Sequence, residues 1–110
     1  MPAYFVTEIE ITNEAGFAPY RAAANTTLEQ YGGRFLTRGG ATELIEGGPK
    51  PKRVAILEFA DTEAVKRWYN SPEYAPAKAI RHKSAVTHVI LFTGNDPNWS
   101  ASETYSRSKT

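Results

Sequence analysis

The chain has 110 residues, 41% of them hydrophobic and 23% charged, which suffices for one packed domain and is too short for two. Thirteen Lys and Arg against twelve Asp and Glu leave a net charge of +1, so no long-range field draws in phosphate backbones or anionic lipid, and neither nucleic acid nor a membrane is an expected partner. The absence of cysteine excludes disulfides, thiolate metal sites and cysteine nucleophiles and fits a reducing cytoplasm, and there is neither a run of about 18 apolar residues nor, at Met1-Pro2-Ala3-Tyr4, the start of a secretory leader.

Tyr4 to Ile11 reads as a first strand in which Phe5, Thr7, Ile9 and Ile11 alternate with Tyr4, Val6, Glu8 and Glu10. After a turn over Asn13 to Gly16, apolar residues recur at helical steps, Phe17, Tyr20, Ala24, Leu28 and Tyr31, with Pro19 tolerated in the first turn and Gly32-Gly33 as the stop. Arg34 to Arg38 is a second strand, expected to bend at Gly39-Gly40 and to continue over Thr42 to Glu46. Past the turn at Gly47 to Pro51, Lys52 to Ala60 is the most strand-like segment and pairs antiparallel with the second strand.

Asp61 is the natural N-cap of a helix with Ala64, Val65 and Trp68 on one face. Ser71 caps a short turn opened by Pro72, Pro76 keeps that piece short, and a restart over Ala77 to Ser84 buries Ala77, Ile80 and the stem of Arg81. Val86 to Thr93 is the last strand. The expected domain is therefore residues 1–93, followed over 94–110 by a polar arm that orders only if Trp99 or Tyr105 finds a surface.

The order strand, helix, strand, strand, helix, strand is the α+β, ferredoxin-like βαββαβ plan, with a four-stranded antiparallel sheet and its helices on one face. Yet both faces of these strands are apolar: Ala55, Leu57 and Phe59 oppose Val54 and Ile56, and Val89 and Leu91 oppose Ile90 and Phe92. Helices cover one face only. A second copy of the chain, packed sheet to sheet, is the expected cover for the other, giving a homodimer.

Arg53-Val54-Ala55-Ile56-Leu57-Glu58-Phe59, followed by Trp68-Tyr69-Asn70-Ser71-Pro72-Glu73-Tyr74 and Arg81, together with Gly32 to Gly40, resembles the uncharacterised domain of unknown function thirteen-thirty. The resemblance runs from about Tyr4 to Thr93. It implies the dimeric α/β-barrel superfamily, whose members include cofactor-independent monooxygenases, haem-degrading enzymes, isomerases and stress-response proteins, and so it implies no single activity.

Candidate chemistry rests on a few side chains. Glu8 and Glu58 share the face of Val6, Val54 and Ile56; one with a raised pKa would act as a general base, while the structural alternative pairs each with Arg34 or Arg38 across the dimer. His88, in phase with Ile90 and Phe92, is a proton carrier if it meets Glu8, and otherwise a packing residue. His82 lies at an exposed helix end, where the dipole favours a cation. Arg81 suits a carboxylate or enolate, and the hydroxyls of Tyr20 and Tyr74 suit a developing oxyanion.

The expected catalytic set is Glu58, Tyr74, Arg81 and His88, meeting where the shared sheet face reaches Tyr74 and Arg81. Tyr20, Arg38, Glu8 and Trp68 are the expected ligand contacts. No cofactor and no metal are expected: two histidines without helical spacing make a weak metal signal, and haem would rest on His88 alone. Ser71 has no adjacent base, the glycine pairs do not precede a helix, and Lys50, Lys52 and Arg53 read as a solvated hairpin tip. The functions left open are a cofactor-free enzyme working by proton transfer on a small metabolite, a non-catalytic binding or accessory protein, and a haem-handling protein.

Overall fold

In the computed structural model, which describes residues 1–95, the chain folds as an α+β ferredoxin-like domain. Strand β1 (Ala3–Ile11) leads through helix α1 (Glu14–Gln30) to β2 (Arg34–Arg38), then β3 (Arg53–Phe59), α2 (Thr62–Tyr69), α3 (Ala75–Ser84) and β4 (Ala85–Thr93). The strands pair antiparallel in the order β2-β3-β1-β4. No described helix is long and apolar enough to cross a membrane.

Local chemistry sets the ends of these elements. The Asn13 side chain accepts from the Gly16 N–H at 3.0 Å and Asp61 from the Ala64 N–H at 2.8 Å, each occupying a donor that the first helical turn leaves free. Helix α1 thus begins at Glu14, inside the stretch expected to be a turn. It ends at Gln30; Gly32, with a φ of 76°, then reverses the chain, and at Gly33 any Cβ would fall 2.5 Å from the Phe59 ring. Ser71 accepts from the Tyr74 N–H at 3.1 Å and donates to the Trp68 carbonyl at 2.8 Å, turning the chain into a single helix α3 with Pro76 in its first turn. The helical region after β3 is therefore two helices, α2 and α3.

One expectation is corrected at β2. The strand stops at Arg38, and residues 39–52 form no strand among themselves: Gly39 takes φ 90°, and the register already shifts between Phe35 and Thr37. The expected continuation over Thr42 to Glu46 is irregular backbone. Of the expected C-terminal arm, residues 96–110, with Trp99 and Tyr105, lie outside the described residues.

The core fills the space between helices and sheet. Phe5, Leu57 and Phe59 from the strands meet Ala24 and Leu28 of α1, Val65 and Trp68 of α2, and Tyr74, all under 6% exposed. Each large apolar side chain so enclosed contributes roughly 1.5–3 kcal/mol. Trp68 is the hub, edge-on to Phe5 at 5.2 Å and against the Tyr74 ring at 4.1 Å, with its Nε1–H donating to Thr27 Oγ1 at 3.1 Å. On the opposite face Val86, Ile90 and Phe92 stay 61%, 52% and 48% exposed beside half-buried Val6, Val54 and Ile56.

Candidate functional site

A cleft opens between α1 and the helix-side face of the sheet. Its floor is Phe5, Thr7 and Ile9 of β1 with Ala55 and Leu57 of β3; its wall is Phe17, Tyr20, Ala24 and Leu28 of α1; Trp68 closes the back. The enclosed volume is about 50 Å³, several water molecules' worth, within about 690 Å³ of empty space continuous with the mouth. Strand parity explains the lining. Odd-numbered residues of β1 and β3 face the helices and even-numbered ones face away, so the floor takes its apolar character from one half of each alternating strand.

Arg81 projects from α3 into this apolar space and is 1% exposed. Its Nη1 donates to Thr87 Oγ1 of β4 at 2.6 Å, while Nε and Nη2 are buried without a hydrogen-bond partner. Beside it the Tyr20 and Tyr74 hydroxyls bond each other at 2.7 Å. Burial, then the Tyr74 hydroxyl, pushes the Tyr20 phenol far above its usual range despite the opposing pull of Arg81. For Arg81, burial works against the charge but is outweighed by the Tyr74 and Tyr20 oxygens, so its pKa lies above the ordinary guanidinium value. At neutral pH the centre is thus a fixed cation next to a neutral phenol donor. The Tyr74, Tyr20 and Tyr69 hydroxyls are near enough to act on that charge, yet none of them is in hydrogen-bonding geometry with Nε or Nη2.

Around the mouth lie Arg21 of α1, Arg38 of β2 and Arg53 of β3. Arg38 is held by Asn25 Oδ1 at 3.2 Å and stacks 4.7 Å from the Phe35 ring centroid. Among the described residues no carboxylate or imidazole lines the cleft and no carboxylate pairs with any of its four arginines. Arg21 and Arg53 line the cleft without belonging to the expected site. Arg53 is exposed, as a solvated basic tip implies, but its odd parity with Ala55 and Leu57 also brings it to the helix-side cleft; Arg21 follows Phe17 by one helical turn.

The expected catalytic four do not meet. Tyr74 and Arg81 lie on the helix side, Glu58 and His88 on the open face, with the sheet between them. Glu8 and Glu58 are also apart, because Tyr4 pairs Glu58 while Glu8 pairs Val54, four residues along β1 or about 13 Å. Glu58 is no raised-pKa base: the hydrogen bond from Arg34, 2.8 Å from Nε, holds its carboxyl below the usual value, and this pair forms within one chain. Glu8 does lie directly opposite His88, both exposed. His82 is exposed in the last turn of α3, as expected, but desolvation and then the Arg81 and Lys78 charges lower its pKa, against the pull of the helix dipole. Of the expected ligand contacts, Tyr20, Arg38 and Trp68 line the cleft and Glu8 faces away from it.

A family model described as "Domain of unknown function (DUF1330)" matches residues 2–95. Among solved structures, a protein of unknown function from Rhodopseudomonas palustris is similar at 21% identity and TM-score 0.70, over 87% of this chain and 84% of that one. A dimeric ferredoxin-like protein of unknown function from Jannaschia sp. CCS1 aligns at 15% identity and TM-score 0.68, over 86% and 100%. SnoaB, a cofactor-independent oxygenase from Streptomyces nogalater, aligns at 18% identity and TM-score 0.61, over 88% and 96%. At these identities the likeness carries the fold. No curated protein matches.

Proposed function

This chain belongs to the DUF1330 family, and from its cleft we propose that it binds a small organic anion with an apolar, preferably aromatic, body. The carboxylate or enolate sits on Arg81, and the body packs against Phe5, Phe17 and Leu28. The observation that carries this reading is the Arg81 guanidinium, 1% exposed with two N–H-bearing nitrogens unpartnered and no acid beside it. An unsatisfied buried charge costs several kcal/mol, and an anion delivered from solution would remove that cost. Tyr20, protonated at neutral pH, donates to an oxyanion and does not abstract a proton.

That division of labour supports a cofactor-free enzyme in which an enolate or phenolate of the substrate is stabilised on Arg81 and Tyr20, and the cofactor-independent oxygenase among the structural relatives is in keeping with it. The absence of Asp, Glu and His from the described lining favours a second reading, a binding protein that holds such an anion without transforming it. Both readings include a homodimer through the open sheet face, in a reducing cytoplasm.

Benzoate is a simple probe. Titrated into the ¹⁵N-labelled protein, it should shift amides of α1, β1 and α3, and Arg81→Met should abolish the shifts. Equal binding by the variant would refute the site.

A further inference from the structure

The cleft carries more positive charge than one anion can match. Of its four arginines, Arg81 is at the buried end, and Arg21, Arg38 and Arg53 ring the mouth. A monoanion on Arg81 leaves three cations converging on one apolar channel. Arg38 does not swing free in solvent, because Asn25 and the Phe35 ring hold its head in place.

The register fixes how the two ends relate. Arg53 of β3, Ile9 of β1 and Thr87 of β4 form one cross-strand row, and Thr87 is the residue that holds Arg81. Two strand-to-strand steps, about 9–10 Å of backbone, separate the Arg53 end of the row from the Arg81 end. Apolar Ile9 lies between them, and Ala55 and Thr7 occupy the next row towards the core. Charge at both ends of an apolar floor is the complement of a molecule charged at both ends with an apolar middle.

Resting on the Arg81 reading above, we infer that the ligand is a dianion with its two acidic groups at opposite ends of an aromatic or similarly flat apolar body. One group reaches Arg81, and the other is held at the mouth by Arg38 and Arg53. Arg38 and Arg53 are then specificity residues that select for the second charge.

Three commercial probes separate the parts of this claim by titration at constant ionic strength: benzoate with one carboxylate, terephthalate with two at opposite ends, and phthalate with two side by side. Terephthalate should bind wild-type protein at least about tenfold more tightly than benzoate, one charge-assisted contact's worth. Phthalate should show little of that gain. In the Arg38→Gln/Arg53→Gln variant the terephthalate-to-benzoate ratio should fall to within about twofold of unity. Benzoate binding that depends on Arg81 but gains nothing from the second carboxylate would overturn the dianion and leave the anion site standing. An equal gain for phthalate, or a ratio unmoved by the double variant, would also overturn it. If neither benzoate nor terephthalate binds the wild type, the anion site falls and the dianion with it.

Discussion

The two faces of the sheet handle charge in opposite ways. On the open face, charges come in pairs near solvent: Arg34 Nη2 meets Glu58 at 2.6 Å and Lys52 meets Glu10 at 2.9 Å. On the helix face, four arginines border one apolar cleft without a carboxylate among the described residues, and the most buried of them keeps two nitrogens without a partner. Paired, solvated charges are an ordinary way to finish a surface and contribute little. A buried cation without an anion works against folding, so its presence points to binding. The difference teaches that the face of the sheet on which charges are paired is not the face where the site lies.

That contrast can be broken at several points. Trp68→Ala, which removes the hub of the helix-side core, should cost about 3–5 kcal/mol in urea denaturation; a loss under about 1 kcal/mol would mean that this face is not the centre of stability. Ile90→Asp places a charge in the apolar patch of the open face. It should convert a dimer into a monomer at micromolar concentration by light scattering, and a wild type already monomeric there would remove the sheet-to-sheet assembly.

The smallest effect belongs to the paired charges. Glu58→Gln should cost under about 1 kcal/mol, since Arg34 is 70% exposed and solvent screens the pair. The folded Glu58 pKa lies below its unfolded value of 4.5, so its contribution is present above that pH and disappears as pH falls through the folded value. Wild type and variant should therefore converge in stability in acid. A difference that grows in acid would contradict the assignment.

Much of this was legible in the residues. The alternation of Tyr4 to Ile11, Arg53 to Phe59 and Val86 to Thr93 dictates three strands with two usable faces, and the family resemblance agrees with their order. The same parity also separates Glu58 and His88, both even-numbered on strands that pair in phase with β1, from anything under the helices; grouping them with Tyr74 and Arg81 ignored the thickness of the sheet. Tyr20, Tyr74 and Arg81 were recognisable as a set by their chemistry. What no local pattern announces is that Arg81 would be buried whole, because a helical arginine ordinarily buries its stem and keeps its head in water. Only the packing of α1 against α3 and the position of Thr87 decide that. The place of Arg53 at the cleft is hidden for a simpler reason: it is exposed and follows Lys50 and Lys52, which is the pattern of a solvated basic tip.

The central claim is that Arg81 is kept for a ligand and not for the fold. Its most direct test is the unfolding free energy of Arg81→Met against wild type, in urea without ligand, beside the benzoate titration. Replacing an unpaired buried cation with an apolar side chain of similar length should leave stability unchanged or raise it by about 1–3 kcal/mol while benzoate binding disappears. A variant destabilised by more than about 2 kcal/mol would show that Arg81 holds the fold together and would contradict the account.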